Sequence, residues 1–174
     1  MSKTMFNLKT LTGLALLTAL EIVLSRFLSI SAWNIKIGLS FIPLVVAAIL
    51  YGPLAAGIAG ALSDFIGAVL FPIGAYFPGF TLTAFLTGCV FGFFLHTKQN
   101  WPRAVAAVFI NQFVLSLFLN TFWISVLYET SYVPLLATRV VQCLIMTLVQ
   151  LLCIQGIVRV LRRFEKGGLT VFSR

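Results

Sequence analysis

Two charged side chains, Asp64 and Arg139, lie inside stretches of this chain that are long and apolar enough to cross a bilayer. Arg26 lies at the end of a third such stretch. A charge at membrane depth costs about 2.5–3.5 kcal/mol on insertion scales, so it usually has a partner and a function. A carboxylate accepts N–H groups, and a guanidinium grips carboxylates with its planar fork. The three residues therefore predict a polar site within the membrane.

The composition places these charges in an integral membrane protein. Of the 174 residues, 60% are hydrophobic and 9% are charged, more apolar surface than a soluble domain of this size can bury. The formal net charge is +8, but the basic residues cluster at the ends and in one loop. That distribution is typical of membrane orientation, not of a nucleic-acid partner. We expect one transmembrane domain over residues 1–174, in contact with the lipid bilayer.

Six apolar segments predict an all-α, compact bundle of six transmembrane helices. The second segment is short, because a full span needs about 20 residues. The segments cover approximately Leu8–Leu28, Leu39–Tyr51, Pro53–Phe71, Phe80–His96, Arg103–Leu127 and Pro134–Arg163.

The basic residues predict that both termini lie in the cytoplasm (N-in/C-in). With that orientation three basic residues, Arg26, Lys36 and Arg139, fall in the outer half of the protein. The other nine lie inside, as the positive-inside rule requires: Lys3, Lys9, Lys98, Arg103, Arg159, Arg162, Arg163, Lys166 and Arg174.

A rise of about 1.5 Å per residue places several polar side chains in one layer of the outer half. Arg26, Asn120, Trp123 and Arg139 share this level, Asp64 lies just beneath it, and Asn111 lies near mid-depth. One interpretation is an Arg–Asp ion pair that ties helices together without a ligand. The basic residues outnumber Asp64, however, so an anionic ligand would balance the charge. The candidate binding residues are Arg26, Lys36, Ser63, Asp64, Asn111, Asn120, Trp123 and Arg139.

Two loops cover this layer. The alternation of apolar and polar residues from Trp33 in the Ser31–Ser40 loop predicts an extended segment, and the Phe71–Phe80 loop combines aromatics with Pro and Gly. The aromatics are either an interfacial belt or a lid that stacks on a planar ligand. We favour the lid, with gating residues Trp33, Phe71, Tyr76 and Phe77.

Catalysis and metal binding find little support. The chain has one histidine, His96, and no HExxH, GxSxG or Walker pattern. We predict no enzyme activity, no catalytic residue, no metal site and no cofactor in this chain.

Small residues at helical spacing indicate close helix packing. Ala56/Gly60, Gly57/Ala61 and Gly88/Gly92 suit packing within the bundle. Ala15/Ala19 on the first helix could instead face a partner, or line the interior along with Arg26.

The chain resembles the substrate-binding (S) components of energy-coupling factor (ECF) vitamin transporters. The residues that carry the resemblance are Ala15 and Ala19, the short second segment and the run from Ile37 to Phe65 with its "FIP…YGP…G…SD" pattern. With the Phe71–Phe80 loop, it looks most like the folate-specific members. The resemblance implies a bacterial cell-membrane protein that captures a vitamin. It further implies docking through Ala15 and Ala19 to a transmembrane coupling protein, with two cytoplasmic ATPase subunits that use the ATP.

The charges favour folate, which has a donor- and acceptor-rich ring and a tail with two carboxylates. Thiamin is a cation, riboflavin is neutral, and pantothenate carries one carboxylate. Two alternatives stay open at this point: an S component for one of those vitamins, and a structural or assembly membrane protein without transport function.

Overall fold

The structure is a computed structural model that describes residues 8–32 and 35–166, with side chains for all of these except 30–37, 162 and 164–166. The predicted helices are confirmed to within three residues at each end. Within the described residues, five helical stretches are long and apolar enough to cross a membrane. The elements are α1 (Leu8–Arg26), β1 (Ile30–Ala32), β2 (Ile35–Ile37), α2 (Phe41–Tyr51), α3 (Pro53–Leu70), α4 (Pro78–Leu95), α5 (Trp101–Phe109), a π-helical segment (Ile110–Leu119), α6 (Asn120–Tyr128) and α7 (Tyr132–Lys166).

The short helix α2 forms the centre of the bundle. Its 11 residues extend only about 16 Å, about half of the hydrocarbon thickness. It contacts α1, α3, α4 and α7, and Val45, Ala48 and Ile49 are fully buried. A helix surrounded by other helices can be short because protein, not lipid, covers its ends.

An antiparallel hairpin precedes α2. The alternating pattern of the first loop predicted its extended backbone but not the pairing of two strands. Ile30 pairs with Ile37, Ser31 with Lys36, and Ala32 with Ile35. The second strand also contacts α7. Trp33 lies outside the described residues, and for Lys36 only the backbone is described.

Small residues bring α3 and α4 into backbone contact. A Cβ atom added at Gly88 would collide with the carbonyl oxygen of Ala56, and one added at Gly92 would collide with the Cα atom of Pro53. Side chains larger than hydrogen would hold the helices apart. The sequence interpretation of the Gly88/Gly92 and Ala56/Gly60 pairs as internal packing is therefore confirmed.

The fifth span changes its helical winding midway. α5 runs into the ten-residue π-helical segment and then into α6 without a break. A π-helical stretch has more residues per turn, so it shifts the direction in which later side chains point, and it often occurs at functional sites. In this span the shift sets the facing of Asn120, Thr121 and Trp123.

We expect Gly88→Ala to destabilise the protein, because its methyl group would meet the α3 backbone, which cannot move aside locally. Overpacking of this kind costs about 1–3 kcal/mol. Gly156→Ala is the matched control, since a Cβ at Gly156 meets nothing within 4 Å. Thermal unfolding in detergent should show a lower midpoint for Gly88→Ala only. Equal midpoints for the two variants would contradict the close α3–α4 contact.

Candidate ligand-binding site

Arg26 and Asp64 join α1 to α3 near the end of the bundle that carries the hairpin. The Nη2 atom of Arg26 lies 4.0 Å from Oδ1 of Asp64 and donates to the Asp64 backbone oxygen at 3.4 Å. Gly67 allows this contact, because a Cβ there would come within 2.7 Å of the Arg26 Nε. Both distances are long for an ion pair and a hydrogen bond. The Arg–Asp tie foreseen from the sequence is therefore present, and it is loose.

Asp64 is also tied to the second loop. The Thr81 hydroxyl donates to Oδ2 of Asp64 at 2.8 Å, and the Tyr76 hydroxyl lies 3.2 Å from the same Thr81 oxygen. Because the Thr81 proton is directed to the carboxylate, Tyr76 must act as the donor to Thr81. The Tyr76 ring meets Phe65 edge-on at 5.8 Å. This chain of contacts connects Asp64 to the aromatic loop.

Trp123 anchors the end of the same loop from α6. Its indole N–H donates to the Thr83 hydroxyl at 3.1 Å, and Thr83 donates to the Gly79 carbonyl at 3.0 Å. The Phe77 ring lies 5.5 Å from the Trp123 ring. At the other end of the loop, Phe71 meets Phe27 edge-on at 5.3 Å. Three of the four predicted gating residues therefore contact aromatic or polar side chains of neighbouring elements.

Arg139 is buried on α7 with part of its guanidinium unpaired. Its exposed fraction is 4%, and its Nε and Nη1 atoms have no hydrogen-bond partner among the described residues. Within that same part of the chain, no carboxylate lies within 4 Å of it. Donors of a buried cation that stay unpaired are expensive. Arg139 is therefore the candidate binding residue whose chemistry most requires a further partner.

Two buried acceptors on α6 share this condition. The Asn120 Oδ1 and the Thr121 Oγ1 have no hydrogen-bond partner among the described residues, and α6 contacts α7. Each such group loses its hydration on burial and gains nothing in return. Unsatisfied donors and acceptors on two adjacent helices are what a polar ligand would pair with.

Two predicted site residues are engaged elsewhere. Asn111 accepts from the Thr87 hydroxyl at 3.0 Å and lies 3.5 Å from Gln150 through its amide nitrogen, in a cluster about two turns from Asn120. The Ser63 hydroxyl donates to the Gly60 carbonyl of its own helix at 3.0 Å. The structure thus brings Arg26 and Asp64 together and places Asn111 in a separate polar cluster.

Thr81 and Thr83 are site residues that sequence reasoning missed. Both lie in the first turns of α4, directly after the aromatic loop. The sequence did offer one signal for them, namely two threonines at positions 81 and 83, at the level of Asp64. Neither carries a charge, so neither stood out among the apolar residues of its segment.

The Ala15/Ala19 surface lies on the outside of the bundle. Both alanines are exposed, whereas Leu14, Thr18 and Glu21 of the same helix are buried. The possibility that Ala15 and Ala19 line the interior is therefore excluded.

Comparisons with known proteins agree on one family. The model of the family described as "ECF transporter, substrate-specific component" matches residues 9–158. A folate transporter FolT of Clostridium novyi is 50% identical over 86 residues, which cover 49% of this chain and 50% of that protein. A folate transporter FolT of Leuconostoc mesenteroides is 37% identical over 97 residues, which cover 55% and 52%. The chain thus spans about half the length of these two relatives.

A solved structure, described as FolT bound with folic acid, matches with a TM-score of 0.83 and 30% identity, over 87% of this chain and 93% of that one. Together with the family match over residues 9–158 and the multi-pass helical fold, this identifies the chain as a member of the family of substrate-specific components of ECF transporters.

Proposed function

We propose that this chain captures folate from outside the cell as the S component of an ECF importer. The observation that carries the proposal is the buried, partly unpaired guanidinium of Arg139. The names of the two relatives and the folic-acid complex of the similar structure support the choice of ligand.

A carboxylate of folate's glutamate tail would be the negatively charged partner that Arg139 lacks among the described residues. A carboxylate can receive two parallel N–H donors from one guanidinium, and such charge-assisted contacts are about twice as strong as neutral ones. Asn120 and Thr121 offer further polar atoms on the adjacent helix. Lys36 adds positive charge from the hairpin. Thiamin would bring a second cation, and riboflavin would leave the guanidinium unmatched.

The pterin ring suits the Asp64 end of the site. A carboxylate accepts two N–H groups from an amino-heterocycle, and the loose 4.0 Å contact to Arg26 leaves Oδ1 able to change partners. Trp123 and Phe77 offer ring faces for stacking. Arg26 would then remain beside Asp64. Ser63 and Asn111 would support the helices around the ligand, not contact it.

The aromatic loop and the hairpin would close over the ligand. Tyr76 is the tether in this proposal, because its hydroxyl connects the loop to Thr81 and through it to Asp64. Trp33 of the first loop, with Phe71 and Phe77, would complete the lid.

Transport would require partners. With both termini in the cytoplasm, the exposed Ala15 and Ala19 form a smooth patch one helical turn in height, which another helix can approach closely. We assign that patch to the transmembrane coupling protein. Two ATPase subunits would bind beneath it and use the ATP, so this chain would need no cofactor.

Arg139→Ala should weaken folate binding by about 30-fold or more, because truncating one partner of a buried charged contact costs about 2–5 kcal/mol. Calorimetry on the purified chain, without ATPase subunits, measures this directly. Arg159→Ala removes the same charge from an exposed position near the other end of α7 and should bind as wild type does. Pteroate, which lacks the glutamate tail, should lose less affinity than folate on the Arg139→Ala change. Wild-type folate affinity in Arg139→Ala would refute this assignment.

Tyr76→Phe should accelerate folate dissociation about 2- to 10-fold, because it removes one neutral hydrogen bond that holds the loop closed. Such a bond contributes about 0.5–1.5 kcal/mol. Tyr132→Phe is the control, since it removes a hydroxyl that bonds Phe118 on another element. Stopped-flow fluorescence reports both rates. A dissociation rate that does not change in Tyr76→Phe would argue against a loop tether.

Ala15→Trp and Ala19→Trp should block transport without affecting folate binding, because a bulky ring prevents close helix approach. Folate uptake into vesicles that contain the ATPase module should fall, and the module should no longer co-purify. Leu148→Trp enlarges a residue on α7 that is already 66% exposed and should leave uptake intact. Loss of folate binding in the alanine variants would place this patch inside the functional fold instead.

A further inference from the structure

A cavity lies at the end of the bundle opposite to Asp64 and Trp123. It has a volume of about 460 Å³ and is formed where α3 begins, α4 ends and α5 begins. Its apolar lining comes from Pro53, Phe93 and Phe94, and its polar lining from His96, Thr97 and Arg103. The volume is within the range of small-molecule sites. None of these residues belongs to the site described above.

The apolar side of this cavity continues onto the lipid-facing surface. Phe93 is 73% exposed, and its ring meets Phe94 edge-on at 5.4 Å. Trp101, at the start of α5, is 52% exposed and marks the level of the membrane interface, where tryptophan is enriched. The cavity therefore opens at headgroup depth, with an apolar surface leading into the membrane.

The polar side presents a guanidinium that is held in place. Nη1 of Arg103 donates to the Thr97 hydroxyl at 2.9 Å, which leaves its other N–H groups for a further acceptor. The His96 ring bonds the Ile49 carbonyl through Nδ1 at 2.9 Å. Since a carbonyl can only accept, Nδ1 carries the hydrogen, and Nε2 remains for another contact.

The charge at this cavity is positive and locally unbalanced. Lys98 lies beside the lining residues, and the sequence has no Asp or Glu between Asp64 and Glu129. In the described part of the chain, no carboxylate oxygen lies within 4 Å of Arg103. An anion is therefore the expected partner of Arg103 at the polar side of the cavity.

We propose that this cavity binds one anionic phospholipid from the adjacent leaflet. The phosphate accepts the remaining N–H groups of Arg103, and an acyl chain lies along Phe93. Basic pockets between transmembrane helices bind anionic headgroups by this combination of charge and apolar wall. A free phosphate would contact Arg103 but not Phe93 and Phe94.

Native mass spectrometry of the purified chain in neutral detergent tests the proposal, with short-chain phosphatidylglycerol as the probe. Arg103→Gln should weaken its binding about tenfold. Lys98→Gln makes the same charge change outside the cavity and should alter binding less than twofold. Thr97→Val keeps all charges but releases Arg103, and should weaken binding about threefold. It serves as the second variant should Arg103→Gln fail to fold.

Four outcomes would overturn the proposal. Equal losses in Lys98→Gln and Arg103→Gln would mean general surface attraction. If phosphatidylcholine bound as tightly as phosphatidylglycerol, the cavity would not select anionic headgroups. If inorganic phosphate at equal concentration competed with phosphatidylglycerol, the cavity would be a phosphate site and not a lipid site. No phosphatidylglycerol binding, together with loss of coupling-protein binding in Arg103→Gln, would make the cavity a protein-docking surface.

Discussion

The hydrocarbon core of a bilayer offers no hydrogen-bond partners, so each polar group at that depth must be satisfied within the protein or by a ligand. Among the described residues, several polar side chains bond a carbonyl of their own helix, as Thr18 and Ser63 do, and others meet the requirement by joining helices. Arg26 and Asp64 connect α1 to α3, and Thr81 adds α4. Asn111 connects the π-helical segment to α4 through Thr87. Among the described residues, Arg139 meets the requirement only in part, because its Nε and Nη1 atoms have no partner, and Asn120 Oδ1 and Thr121 Oγ1 share this condition. The proposed ligand would pair with these atoms.

Small residues serve two different purposes in this bundle. At Gly88 and Gly92 they let α4 touch the α3 backbone, which fixes the scaffold under the aromatic loop. At Ala15 and Ala19 the same spacing lies on the outer surface of α1. The physical property is identical in both places, namely close approach of backbones. Only the position of the neighbouring helix distinguishes an internal contact from a surface free to receive a partner.

The two ends of the bundle have different chemistry because the chain distributes its polar residues unevenly. The end with the hairpin combines a carboxylate, two guanidinium groups and several aromatic rings, which suits a ligand with both ring and carboxylate parts. The opposite end combines Arg103 and His96 with Phe93 and Phe94, which suits an amphipathic anion. The π-helical segment lies between them in the fifth span.

The sequence by itself determined the membrane class, the helix boundaries to within three residues, the extended backbone of the first loop and the family resemblance. These features depend on composition, on the positions of Pro and Gly and on local periodicity, all of which are local properties of the sequence. It also identified Asp64 and Arg139, because a charge inside an apolar segment is conspicuous. It could not decide which charges pair, because the depth of a residue along its helix does not tell which neighbouring helix its side chain faces. Only the tertiary structure paired Arg26 with Asp64, left Arg139 partly unmatched and moved Asn111 to another cluster. Thr81, Thr83 and the Arg103 cavity likewise emerged only from packing, because neutral hydroxyls and an arginine at the start of α5 acquire their roles from the residues packed around them.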